Sequence, residues 1–201
     1  MYAKILVRRL LLAGLATATL AAAGCSTTGH SNTGHSGMPG MASSAPAGAN
    51  YNSADVTFAQ AMIPHHEQAV RMSELAATRA ADPQVQQLAT QIKTAQGPEI
   101  ETMKGWLAAW GRPTADPMGG MHGAMPGMMT DQQMSGLEGL SGAAFDREYT
   151  RMMVAHHQGA VAMAKTEQAQ GGNADAKALA AKIEKDQTAE IAVLQQVLDR
   201  L

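Results

Sequence analysis

The chain has 201 residues, 15 of them Lys or Arg and 17 Asp or Glu, for a formal charge of −2 at pH 7. Removal of an N-terminal leader carrying Lys4, Arg8 and Arg9 makes the balance more acidic, about −5 with neutral His, and leaves no basic patch for nucleic acid. One cysteine excludes an internal disulfide, and 3% aromatic content without Val/Ile/Thr alternation leaves helix as the regular structure.

Residues 1–24 read as a secretory signal: a charged segment to Arg9, an apolar run from Leu10, then Ala21-Ala22-Ala23-Gly24 before Cys25. The apolar run is shorter than the roughly 20 residues of a membrane-spanning helix. Cys25 after small residues resembles a bacterial lipobox. Acyl chains on it would anchor the exported protein on the outer side of the cytoplasmic membrane or in the periplasm. Residues 25–52 are rich in Gly, Ser, Ala and Pro and carry His30, His35, Met38 and Met41. They are too poor in large side chains to offset the entropy of folding, and read as a flexible tether.

From residue 53 the chain becomes Ala-rich and self-similar. Residues 55–110 align without a gap on residues 146–201 at an offset of about 91. Matched pairs include Met62/Met153, His65/His156, His66/His157, Met72/Met163, Gln96/Gln187, Glu99/Glu190 and Ile100/Ile191. Phe58, Met62, His65, Ala69, Met72 and Ala76 step by four and three, as do Val85, Leu88, Ile92, Ala95, Glu99 and Met103, which predicts two helices per copy. Asp82-Pro83 breaks the first copy and Gly171-Gly172-Asn173 the second. Each copy is therefore a helical hairpin with one open apolar face, and packing the two together predicts a four-helix bundle over 53–201. Pro64, just before the first His pair, is expected to bend its helix. Residues 111–141 between the copies are expected as a loop with one short helix over 130–140, opened by a Thr130-x-x-Gln133 capping pattern. Ser141 is the expected N-cap of the next long helix.

Neighbouring helix residues point about 100° apart, so His65 falls on the core stripe and His66 on its border; His156 and His157 repeat this. Counting through the turn near residue 81 sets His65 level with Pro98 and Glu99, and the second copy sets His156 level with Ala189 and Glu190. Glu99 and Glu190 lie on core stripes, where an unpaired carboxylate is costly. A metal ion or a His–Glu pair would each satisfy them, and for one isolated copy a register-fixing His–Glu network without an ion is the favoured reading. Duplication brings four imidazoles, two thioethers and two carboxylates into comparable layers, a ligand density that register does not require. The expected metal ligands are His65, His66, His156, His157, Met62, Met153, Glu99 and Glu190, with Gln96, Gln187, Met72 and Met163 as accessory groups. Imidazole suits several transition metals and thioether sulfur favours Cu(I), so copper leads; gap-filling in the core is the competing role for the methionines.

Met118, Met121, Met125, Met128 and Met129 recur with His122 in the Gly/Pro-rich loop. Such a segment packs no core, and its thioethers suit capture of Cu(I) or Ag(I).

Phe58-x-x-x-Met62-x-x-His65-His66-x-x-Ala69-x-x-Met72, Gln96-x-x-Glu99-Ile100-x-x-Met103-x-x-Trp106-Leu107, Phe145-Asp146, the second Met153-x-x-His156-His157 motif and Gln187-x-x-Glu190-Ile191 together resemble the domain-of-unknown-function 305 (DUF305) family. The resemblance implies a ferritin-like four-helix bundle, usually exported, with some members binding copper in connection with copper tolerance, and no established enzyme activity. The Glu-x-x-His motif of di-iron carboxylate enzymes is absent from both copies, which argues against an oxygen-activating di-iron centre. Leu194 and Val197-Leu198 replace the Met and Trp-Leu that close the first copy, so core packing is expected there. The expected function is copper sequestration or transfer, with metal ions, a membrane reached through the lipid anchor and a copper-handling protein as partners. A metal-dependent oxidase and a structural lipoprotein held by His–Glu networks are the alternatives.

Overall fold

A computed structural model describes residues 50–114 and 125–201. The signal segment, Cys25, most of the tether, Met118, Met121 and His122 lie outside the described residues.

The described chain is all-α: α1 Ser53–Arg79, α2 Pro83–Ala109, α3 Asp131–Glu138, α4 Gly142–Gln170 and α5 Ala174–Arg200. Capping explains the starts. Asn52 and Asp55 form a capping box on α1, Asp82 caps α2 with Pro83 in its first turn, Thr130 and Gln133 form the expected box on α3, and the Asn173 side chain accepts from Ala176 N–H on α5. Ser141 occupies the N-cap position of α4 but makes no side-chain cap bond. Gly142 follows at φ 61°, so the chain enters α4 through a turn that needs glycine. α1 continues as one helix through Pro64, and α2 through Pro98.

The helices pair as two hairpins, α1 with α2 and α4 with α5, and α1 against α4 forms the main seam between them; α2 and α5 meet at few points. Each hairpin grips the turn of the other through an equivalent aspartate. Asp146 accepts from the N–H groups of Ala81 (3.1 Å) and Asp82 (2.9 Å). Asp55 accepts from those of Gly172 (3.1 Å) and Asn173 (2.9 Å).

Two apolar clusters fill the interior. One gathers Met72, Leu88, Ile92, Phe145, Tyr149 and Leu194, the other Phe58, Met62, Ile100, Leu107 and Ile183. On every long helix the two sets are separated by a short polar interval: His65-His66 on α1, Gln96 to Glu99 on α2, His156-His157 on α4 and Gln187 to Glu190 on α5. The repeat thus places one polar layer at mid-height between two apolar slabs. Leu194 and Val197 are buried in the core, as their substitution for Met and Trp suggests.

Candidate metal site

The layer is buried and under-bonded. All four histidines have 0% exposure. His66 Nε2 donates to Glu99 Oε2 at 2.9 Å, and His157 Nε2 donates to Glu190 Oε2 at 2.7 Å, so each hairpin joins its second histidine to its own carboxylate. Lys182 from α5 reaches the other oxygen of Glu99 at 2.8 Å. His65 and His156 face one another across the α1/α4 seam, ring centroids 3.8 Å apart and planes tilted by 38°. His65 Nε2 donates to the carbonyl of Pro126 at 3.1 Å, whereas neither ring nitrogen of His156 has a hydrogen bond of normal geometry.

Protonation follows from this burial. Burial, aided by the nearby His66, lowers His65 from 6.5 to about 3. Burial also lowers His66, outweighing the pull of Glu99, and lowers His156 well below the ordinary histidine value. These three rings are neutral at neutral pH, and a neutral ring that donates through Nε2 keeps a lone pair on Nδ1. Burial acts against the Glu99 carboxylate, yet the bonds from His66 and Lys182 hold its pKa below the usual value.

The Nδ1 atoms of His65, His66, His156 and His157 all lack a partner, as do Gln96 Oε1 and Nε2 and Gln187 Oε1. Buried polar atoms without partners are uncommon in folded proteins, and a whole layer of them needs a physical reason. Among the described residues no group of three or more His, Cys, Asp or Glu side chains is arranged to hold a metal ion. The arrangement therefore offers unpaired imidazole nitrogens in a low-dielectric layer rather than a finished coordination shell.

The remaining sequence-predicted residues divide by position. Met62 and Met153 are fully buried, one turn before the histidines, in opposite apolar clusters. Met72 packs in the cluster with Tyr149. Met163 is only partly buried and lines a cavity of about 300 Å³ beside Phe58, Ala61 and Glu167, away from the layer. Of the loop methionines, Met129 is buried and Met125 and Met128 are partly exposed. Sequence reasoning missed Lys182 and the loop's approach to His65; the first could have been found from the exposed Gln91 at the equivalent position of the other copy.

The DUF305 family pattern (domain of unknown function) matches residues 55–198. The chain belongs to the DUF305 family. Among solved structures it is similar to a DUF305 protein from Streptomyces coelicolor whose name presumes secretion, at 36% identity and TM-score 0.68 over 74% of this chain and 93% of that one. It is also similar to a DUF305 fragment from Deinococcus radiodurans, at 32% identity and TM-score 0.68 over 75% and 98%. A third similar structure is CopM in a Cu(II)-bound form, at 34% identity and TM-score 0.64 over 73% of this chain and 96% of that one. CopM is also known in Cu(I)-bound, Ag-bound and apo forms. No curated protein matches the chain significantly. Among the described residues no helix is long and apolar enough to cross a membrane.

Proposed function

We propose that this DUF305 protein binds copper outside the cytoplasm, for sequestration or transfer in copper tolerance, through the histidine layer. The observation that carries the reading is the set of four buried imidazole Nδ1 atoms without partners at the meeting of the two repeats. Glu99 and Glu190 bond the Nε2 atoms of His66 and His157 and so fix the tautomer that leaves Nδ1 free, the usual service of a carboxylate behind a metal-binding histidine. Met62 and Met153 supply thioethers within one helical turn, a donor set suited to Cu(I). The copper- and silver-bound forms of CopM support the same cargo. The lipobox-like Cys25 supports anchoring at the outer face of the membrane, with a copper-handling protein as recipient.

The test is competition between purified apo-protein and a colorimetric Cu(I) chelator. Wild type is expected to withdraw copper from the chelator, and the variant with His65, His66, His156 and His157 all changed to Ala is expected to withdraw none through the layer. Equal uptake by the two proteins, or none by wild type, overturns the reading. In the second case the His–Glu pairs would be structural, and the four substitutions would lower the melting temperature equally with and without copper.

A further inference from the structure

The segment from Met125 to Thr130 crosses the α1/α4 seam at the height of the histidine layer, and both helices are cut to receive it. On α1, Gln68 binds the segment in both directions: its Nε2 donates to the Met129 carbonyl at 2.8 Å and its Oε1 accepts from the Met129 N–H at 2.7 Å. On α4, Gly159 lies so close beneath the segment that a Cβ there would fall 1.8 Å from the Pro126 carbonyl oxygen. Gly127, at φ 78°, lies on the backbone of the same helix; its own Cβ would fall 2.5 Å from the Ala155 oxygen. Between these two holds, the Pro126 carbonyl accepts a hydrogen bond from His65 Nε2–H.

Gln68 and Gly159 occupy the same position in the two repeats. One copy carries a clamp there and the other leaves space, and both serve one segment that has no duplicate. The contact is thus built from both sides, and it lies over the His65–His156 pair, whose tilted rings face one another across the seam.

We infer that this strap is the access gate of the histidine layer: Gln68 and Gly159 hold it closed over His65, and its release admits a soft monovalent cation of the Cu(I) or Ag(I) class. The inference rests on the proposed metal-binding reading and adds the route and its control. Release breaks the two Gln68 bonds and the His65–Pro126 bond, which water can replace, and draws Met129 out of its apolar cluster, which holds the strap closed at rest. Met125 and Met128, partly exposed at the strap, present thioethers at the entrance.

Gln68→Ala removes the clamp without touching an expected ligand, and Gly159→Ala forces Pro126 off α4. Anaerobic stopped-flow mixing of apo-protein with Cu(I) held by a chelator gives the uptake rate, and reverse transfer to excess chelator gives the release rate. Loss of two neutral hydrogen bonds corresponds to roughly tenfold in the closing equilibrium. Gln68→Ala is expected to take up and release Cu(I) roughly tenfold faster at unchanged stoichiometry, and Gly159→Ala to exceed the wild-type rates through its clash with Pro126. Gln68→Ala alone decides if Gly159→Ala fails to fold. Wild-type or slower rates in a folded Gln68→Ala variant would put the entrance elsewhere, such as the flank beside Glu190, and overturn the inference while leaving the binding reading intact. A wild-type protein that takes up no copper overturns both.

Discussion

In the first repeat His66 donates to a Glu99 whose other oxygen is held by Lys182, whereas in the second His157 donates to a Glu190 that has no further partner among the described residues. The side chain of Glu99 is 9% exposed and that of Glu190 24%. The first repeat also gives its His65 to the strap, while His156 keeps both ring nitrogens unbonded. Duplication therefore set up a symmetric polar layer, and divergence around it closed one half and left the other open. Helix register preserves the pairing of histidine with carboxylate; side chains outside the repeat pattern decide how much positive charge each half tolerates.

The ends of the hairpins show the same divergence, and there it is accessible to stability measurements. Asp146 and Asp55 are equivalent clasps, but Asp55 lies beside Glu167, a buried carboxyl whose counterpart in the first copy is Ala76. Asp146→Ala leaves the N–H groups of Ala81 and Asp82 without their acceptor and is expected to cost about 2–4 kcal/mol in denaturant unfolding. Asp55→Ala also removes the α1 capping-box bond and the bond from protonated Glu167. It is therefore expected to cost more than Asp146→Ala while Glu167 is protonated, and the excess should shrink once Glu167 ionises, because the substitution then removes a like charge. Equal losses from the two variants across the pH range would show that the clasps are still equivalent.

Glu167 sharpens this contrast. Its oxygens have no N–H or O–H donor, so its contact with Asp55 becomes a hydrogen bond only when Glu167 carries the proton. Burial, then the Asp55 bond and the Asp55 charge, raise its pKa from 4.5 to about 8 against the opposing charge of Lys177. A carboxyl whose folded pKa lies above its unfolded value stabilises fully below the unfolded value, and that stability is lost as pH rises through the folded one. The melting temperature should therefore carry a downward contribution between pH 4.5 and about 8. Glu167→Gln, whose amide donates to Asp55 at every pH, should remove it, a difference of roughly a few degrees at the upper end. His65, lowered to about 3, gives the opposite slope below 6.5, since the unfolded chain then binds the extra proton. The quantity to follow is thus the difference between Glu167→Gln and wild type, and a difference independent of pH would remove Glu167 from the account.

Much of this architecture is legible in the sequence, for reasons particular residues make clear. Four-and-three spacing from Phe58 to Ala76 and the breaks at Asp82-Pro83 and Gly171-Gly172 are local signals, and they gave helices whose ends agree with the structure. Counting from the turn brought Glu99 beside the histidine doublet within one residue, because an antiparallel hairpin has only one register once its turn is placed. The clasps at Asp55 and Asp146 were not foreseen, although the pair opens the alignment, because each bonds the other hairpin and no spacing within a copy encodes that. The strap escaped for the same reason. Gln68 and Gly159 look like an ordinary mismatch between repeats until a third segment is known to lie on both. Ser141 shows the reverse case, a correct cap position reached without the cap bond its side chain suggests.

Lys182 gives the smallest expected effect and the most direct comparison of the two halves. Its ammonium, shared with Asp186, partly offsets the charge of Glu99, so a cation entering the layer meets the less compensated carboxylate at Glu190. Lys182 is 53% exposed, so solvent screens much of its charge, and its removal should tighten copper binding by a small factor, up to about fivefold. Gln91 stands where the first repeat would carry the equivalent lysine. Gln91→Lys should therefore weaken binding by a similar factor, and the double variant should return the affinity close to that of wild type. Competition with the Cu(I) chelator reads all three, and added salt should shrink each difference, since the charges meet solvent. If Lys182→Gln tightens binding and Gln91→Lys does nothing, charge beside Glu99 matters and charge beside Glu190 does not. The ion would then reside in the half closed by the strap, and the open half would serve only to keep the helices in register.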